Sequence, residues 1–306
     1  MEMYVVKNKQ RSLWFRTGCP RVAAVGALAL LGLQPACGDD GGTSGAGAAS
    51  GTSVGTAGGG GAGDGSGGSG GSAGQGGGAP ASGANPLAAP LVDSLTRALS
   101  DGDEATLAAH LGPEVFYVDA QGRSEAADAP RALLDGGPWI IESKVDSHHD
   151  VFRVLVRRGD ENSVLFGAVG EEGLASWLAL AAPPPSDPAS TSPVLRVYQQ
   201  AWMEGEEGRA ALIEQCWADS ARYVDPTADV TGRPGLDGTI AAFQSALPGA
   251  TLAPASGALE AHGLVHFLWR IEGADMPPLD GMDVGFVDGA GALTLIAGFF
   301  GPFSPP

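Results

Sequence analysis

Two hydrophobic periods alternate along the last two thirds of the chain. A helical spacing runs through Leu91, Leu95, Ala98 and Leu99, and again through Val194, Val197, Tyr198, Ala201 and Trp202. Short runs with a period of two, or with no polar break, read as strands. In residues 86–182 the pattern predicts helices over Leu87–Leu99 and Glu104–Leu111, the second stopped by Gly112-Pro113. A strand over Val115–Asp119 and a short helix over Arg131–Leu134 come next. The remaining strands are Ile140–Val145, Val151–Arg157, Val164–Val169 and Leu174–Leu180. Residues 193–306 repeat the order. Helices cover Val194–Met203, Arg209–Trp217 and Leu236–Leu247, with a strand over Ala221–Asp225 between the last two. Strands then cover Thr251–Leu259, Ala261–Ile271, Gly281–Val287 and Leu293–Phe300. Tyr117-Val118-Asp119 matches Tyr223-Val224-Asp225, and His148 pairs with His262. Helices followed by antiparallel strands, twice over, predict an α+β fold of two tandem domains, each with helices on one face of a curved sheet.

Composition divides the rest of the chain. Residues 41–80 hold 20 of the 49 glycines and almost no large apolar side chain. Residues 38–85 therefore read as a random-coil spacer with a reach of roughly 40 Å. Before it, a basic stretch leads into the apolar run Val22–Leu33, the shape of an export signal. Residues 1–37 resemble a bacterial lipoprotein signal: Ala36 and Cys37 match its lipobox. Gln34 stands where Leu is usual, with Leu33 one place further out. The resemblance implies lipidation of Cys37 and a cell-envelope location, with the lipid as the only membrane contact. Residues 183–192, rich in proline, form a second and stiffer linker.

Charge excludes one class of partner. In residues 38–306 acidic groups outnumber basic ones by 22. A body of that sign repels nucleic acid. No Gly-x-Ser-x-Gly, His-Glu-x-x-His or Cys-x-x-Cys is present, so hydrolase, zinc-protease and thioredoxin chemistry lack a basis, and no metal or cofactor is implied. Cys216, in a helical run, reads as a buried inert thiol.

Chemistry concentrates in the second unit. In Ala261–Ile271 the alternation puts His262, Leu264, His266 and Leu268 on one face and Val265, Phe267, Trp269 and Ile271 on the other. Asp283 lies on the opposite pleat from Met282, Val284 and Phe286. An apolar wall around it would raise its pKa towards that of a general base, with His262 or His266 orienting a substrate oxygen. The alternatives are an ordinary strand-end carboxylate, one core histidine and one rim histidine. Asp225-Pro226 also reads as a turn.

These residues carry a family resemblance. The helix pair ending in Trp217, Tyr223-Val224-Asp225-Pro226, Gly232, the Phe243 helix ending at Pro248-Gly249, and His262 with Phe267-Leu268-Trp269 form its first part. Asp288-Gly289 and Gly298-Phe299-Phe300 complete it. In this order the second unit resembles the SnoaL-like branch of the nuclear transport factor 2-like superfamily, and the first unit resembles it more weakly. The resemblance implies two tandem cone-shaped domains, each a curved antiparallel sheet wrapped around about three helices with one apolar pocket, in a family of cyclases, isomerases, dehydratases and binding-only domains. It implies Asp283 as a general base, Tyr223 at the pocket, and ligand contacts from Trp217, Trp269 and Phe243. Three functions stay open: binding of a small apolar molecule, cyclase- or isomerase-type proton abstraction, and an assembly role. In the last, the two sheets pair like the halves of a dimer.

Overall fold

The computed structural model describes residues 88–170, 172–273 and 276–306. The signal segment with Cys37 and the whole glycine-rich spacer lie outside the described residues. The first unit contains helices α1 (Ala88–Asp101), α2 (Glu104–Ala109) and α3 (Ala129–Leu134). Its strands are β1 (Leu111–Val118), β2 (Arg123–Glu125), β3 (Ile140–Ile141), β4 (Asp146–His148), β5 (Val151–Arg158), β6 (Glu161–Val169) and β7 (Ala175–Ala181). The second contains α4 (Pro193–Met203), α5 (Glu206–Cys216) and α6 (Gly232–Ala246). Its strands are β8 (Trp217–Asp225), β9 (Ala228–Thr231), β10 (Thr251–Ala261), β11 (Leu264–Glu272), β12 (Leu279–Val287) and β13 (Leu293–Phe300).

The two sheets have one strand order. In the first it runs β2-β1-β7-β6-β5-β3, with β4 also on β5; in the second, β9-β8-β13-β12-β11-β10. Both are antiparallel except for one parallel pair, β1 with β7 and β8 with β13. The α+β architecture is as the pattern predicts, and several boundaries move. Gly112-Pro113 lies inside β1 rather than ending a helix, and Trp217 opens β8 rather than closing α5. The strand expected over Ile140–Val145 keeps only Ile140 and Ile141.

Apolar side chains form three layers. Leu95, Leu99, Leu107 and Leu133 of the first helices meet Phe152, Val154, Val156 and Leu165 of the first sheet. Leu195, Tyr198, Trp202, Ile213 and Ile240 meet Val265, Phe267, Trp269 and Ile271 of the second. The outer faces of the two sheets then cover each other. Val151, Leu155, Val164 and Phe166 share a cluster with Leu264, Met282, Val284 and Phe299. Strands β5, β6, β11 and β12 are thus buried on both sides, which is why they read as nearly continuous apolar runs.

Polar locks cross this layer in equivalent places. The β4–β5 hairpin pairs His148 with Val151, and the β10–β11 hairpin pairs Ala261 with Leu264. That register makes Arg153 the counterpart of His266. Arg153 Nη2 donates to the carbonyls of Phe300 and Gly301 at 3.1 and 3.0 Å, at the end of β13. His266 Nδ1 lies 3.2 Å from the carbonyl of Ala182, just past β7. At the rim, Arg222 holds Asp150 through two bonds of 2.6 and 2.8 Å.

Replacing Arg153 by Met leaves the Phe300 and Gly301 carbonyls without that donor. The expected loss is about 1–3 kcal/mol of unfolding free energy in urea titration. Arg123→Met, at an exposed ion pair, should stay within about 0.5 kcal/mol.

Candidate functional site

The site is built on the β11–β12 pair. Phe267 stands opposite Asp283, and Trp269 opposite Gly281. Strand alternation sends Met282 and Val284 to the layer between the sheets, so Asp283 points the other way, into the cone. A Cβ at residue 281 would come within 2.1 Å of the Trp269 ring. Glycine there lets the indole lie across the strand, and its Nε1 donates to Asp283 Oδ1 at 2.7 Å. Gly298 on β13 has the same permissive role. A Cβ there would lie 3.1 Å from Asp283 Oδ1, 3.4 Å from Asp225 Cβ and 3.7 Å from Tyr223 Oη. Three polar side chains meet over one missing side chain.

Asp225 is the anchor of the β8–β9 turn, as its sequence reading has it. It accepts from Thr227 N at 2.6 Å, Thr227 Oγ1 at 2.8 Å and Ala228 N at 2.7 Å. Its other oxygen accepts from Tyr223 Oη at 2.7 Å. The first unit repeats the device: Tyr117 Oη donates to Asp119, which caps Gln121 and Gly122. The Tyr-x-Asp repeat is therefore a turn lock common to both units.

Asp283 is 5% exposed. Burial pushes its pKa up to about 7; the Trp269 N–H opposes this, the neighbouring Asp225 adds to it, and the Tyr198 hydroxyl opposes it. Burial likewise drives the Tyr198 and Tyr223 phenols well above their ordinary range, so both remain protonated donors. Around the carboxylate, Tyr198 Oη is directed at Asp283 and Trp202 Nε1 at Tyr198, both outside standard hydrogen-bond geometry, and Trp217 Nε1, beside Tyr198, is buried with no partner. Tyr198 stacks on Trp217 at 5.9 Å, and Trp202 leans on Tyr223 at 5.5 Å and on Phe243 at 5.6 Å.

Asp283, Tyr223, Trp217 and Trp269 thus come together inside the second cone, with Phe243 half-buried beside Trp202. The histidines do not join them. His262 lies outside β11, in the hairpin turn at φ 53°, and is exposed. The strand expected from Ala261 starts at Leu264, because His262-Gly263 forms a two-residue turn in left-handed backbone. His266 is fully buried on the opposite pleat from Asp283, against Phe166. The expected partnership of Asp283 with an imidazole is thus corrected: the turn takes His262 out of the strand, and alternation turns His266 away from Asp283. The hairpin register also makes His149, at φ 49°, the counterpart of His262 in place of His148.

Tyr198 and Trp202 are members of the site that the sequence reading left in the core. Their helical stripe gave no sign that the polar ends would be stranded. In the first cone, Leu165, Val156 and Ser163 occupy the positions of Asp283, Trp269 and Gly281. The gap among Leu99, Leu133, Trp139, Val156, Leu165 and Leu180 has no room for a water. Among the described residues no three His, Cys, Asp or Glu side chains gather as a metal site requires. Burial lifts the Cys216 thiol to about 12, which fits the inert reading.

Trp269→Phe removes the N–H that favours the charged carboxylate. The Asp283 pKa should rise further above its ordinary range, read from its carboxyl carbon in a pH-dependent NMR titration. Gly281→Ala should destabilise the chain by about 1–3 kcal/mol through the clash with the indole.

No family model and no curated protein matches the chain. Solved structures do match over about a third of it. One is a SnoaL-like-family protein from Agrobacterium tumefaciens, 29% identical, covering 35% of this chain and 94% of its own, with a TM-score of 0.34. Another is a protein with a ketosteroid isomerase-like fold from Catenulispora acidiphila, 18% identical, covering 35% and 85%, with a TM-score of 0.31. A third is a nuclear transport factor 2-like protein from Mesorhizobium loti, 15% identical, covering 39% and 97%, with a TM-score of 0.31.

Proposed function

We propose that the second cone binds a small, largely apolar molecule that presents a hydrogen-bond-accepting oxygen. The carrying observation is a run of under-used donors near a buried carboxylate: Trp217 Nε1 has no partner, and Tyr198 Oη and Trp202 Nε1 reach theirs only outside standard geometry. Each stranded donor costs about 1–3 kcal/mol, which an acceptor in the cone would recover. The aromatic rings supply the apolar wall, and Asp283 accepts from or donates to the polar end of the ligand.

A second reading has one observation in its favour. A carboxyl group whose proton affinity lies close to neutrality is suited to moving a proton in either direction. On that reading Asp283 abstracts a proton next to a carbonyl, and Tyr198, rather than a histidine, donates to the oxygen that gains charge.

The wider reading places this domain outside the cytoplasm, tethered by residues 38–85 to a lipid on Cys37, with the first domain as a degenerate copy that serves as its packing partner. The basic stretch, the apolar run and the Ala36-Cys37 pair support it. Cys37→Ala should move the protein from the membrane to the soluble fraction of cells.

Native mass spectrometry of the chain purified from its own cells tests the site. The expected result is a bound small molecule that is lost in Asp283→Leu, which carries the residue of the first cone. An unliganded wild-type chain, or a variant that keeps the ligand, counts against the reading. The same substitution has a pH signature. Asp283 binds its proton more tightly when folded, so its contribution to stability is fully present below about pH 4 and is lost as pH rises to about 7. Asp283→Leu should therefore gain on the wild type by about 1–3 kcal/mol at pH 8 and gain less at pH 5.

A further inference from the structure

The layer between the sheets holds a second set of buried polar groups, separate from the cone interior. His148, Arg153 and His266 are 6%, 0% and 0% exposed. Each keeps one nitrogen without a partner: His148 Nε2, Arg153 Nη1 and His266 Nε2. They gather around two rings. Phe299 lies 4.8 Å from the His148 ring and 5.2 Å from the Arg153 guanidinium. Phe166 lies 5.2 Å from His266 and 5.8 Å from Phe299.

The charged groups facing this cluster are already engaged. Asp146 of β4 pairs with Arg153 at 2.7 Å. At the His148 end, Arg222 of β8 holds both Asp150 and Asp229 of β9, with His149 alongside. Over His266 stand the Ala182 carbonyl, Phe166, Leu259 and Val284, and none of them carries an acid.

We propose that this layer is an acid-released latch: protonation of His148 and His266 parts the two domains while the second cone stays folded. An imidazolium has two N–H groups to place. His266 has one acceptor, and its second N–H would be stranded among aromatic and aliphatic side chains. The Arg153 cation already shares the layer and repels a second charge. A proton therefore favours the parted state, in which water reaches both rings.

The sign is consistent. Burial, with Arg153 adding to it, holds His266 down at about 4. Burial, with His149 and Arg153 adding to it, holds His148 down at about 3. A free imidazole titrates near 6.5. The closed interface is fully stable above about pH 6.5 and weakens as pH falls towards these values, by up to about tenfold per pH unit for each ring. Asp283 works in the opposite direction, since the second cone gains stability as pH falls from 7 towards 4. Acid thus loosens the layer between the sheets while strengthening the cone beside it.

The test follows the full chain from pH 7 to pH 5 by small-angle scattering and far-ultraviolet circular dichroism. The radius of gyration should rise while the dichroism holds. The double variant His148→Leu with His266→Gln, whose amide can still donate to Ala182, should move the expansion at least one pH unit lower. Loss of dichroism together with expansion, an unchanged midpoint in the variant, or no expansion at all overturns the proposal. If the double variant does not fold, histidine ring NMR of the wild type decides. The two buried imidazoles should titrate in step with expansion, and titration within a compact chain refutes the latch.

Discussion

A β-sheet covered on both faces leaves its side chains no route to water, and much of this molecule follows from that constraint. The outer faces of the two sheets cover each other, while the inner faces cover the helices. Every residue in the middle of β11 or β12 must then be accommodated in one buried layer or the other. Apolar residues do this at no penalty. The polar exceptions, His266 on one pleat and Asp283 on the other, need an arranged partner: each has one bond, and His266 is left with an unpartnered Nε2. Moving either strand by one residue would exchange those environments, so the pairing register is fixed by both layers at once.

The same constraint explains how much of the site was legible in the sequence. Period-two alternation separated Asp283 from Met282 and Val284, and Phe267 and Trp269 from His266, because alternation is a property of any extended strand. Which faces of the two strands coincide is set by the pairing register, and there the expected partnership with His266 did not hold. Alternation itself failed at His262. There the run Ala261-His262-Gly263-Leu264 keeps the right rhythm, but the chain reverses through two left-handed residues. A histidine at positive φ is uncommon enough that pattern alone does not suggest it. The short edge strands β2 and β9 were missed for a related reason: β2 has no apolar residue, and β9 has only Ala228 and Val230, both half-buried, too short an alternation to signal a strand.

Other features had no local signal at all. Gly281 and Gly298 look like ordinary strand glycines, yet the first makes room for an indole and the second for two carboxylates and a phenol. That role depends on which residue stands across the ladder, and cross-strand register is set by tertiary pairing. Tyr198 and Trp202 are similar. Their positions on the helix stripe announce burial, but the stranding of their polar ends depends on strands that come far later in the chain.

The comparison between the two cones shows what the polar site costs. They share a strand order and a Tyr-x-Asp turn lock, so their frames are alike. At the three matched positions, one has Leu165, Val156 and Ser163, and the other Asp283, Trp269 and Gly281. These differences are interdependent. The indole fits only over glycine, its N–H has a purpose only with a carboxylate in reach, and the carboxylate would be harder to bury without that N–H. In the first cone Leu165 and Val156 stand in place of the carboxylate and the indole, and the gap they line with Leu99, Leu133, Trp139 and Leu180 has no room for a water. This cone can therefore act as a stable wall against which the outer face of the second sheet is buried. The second cone can then keep its interior polar, with unmet donors, without also having to hold an apolar outer face in water.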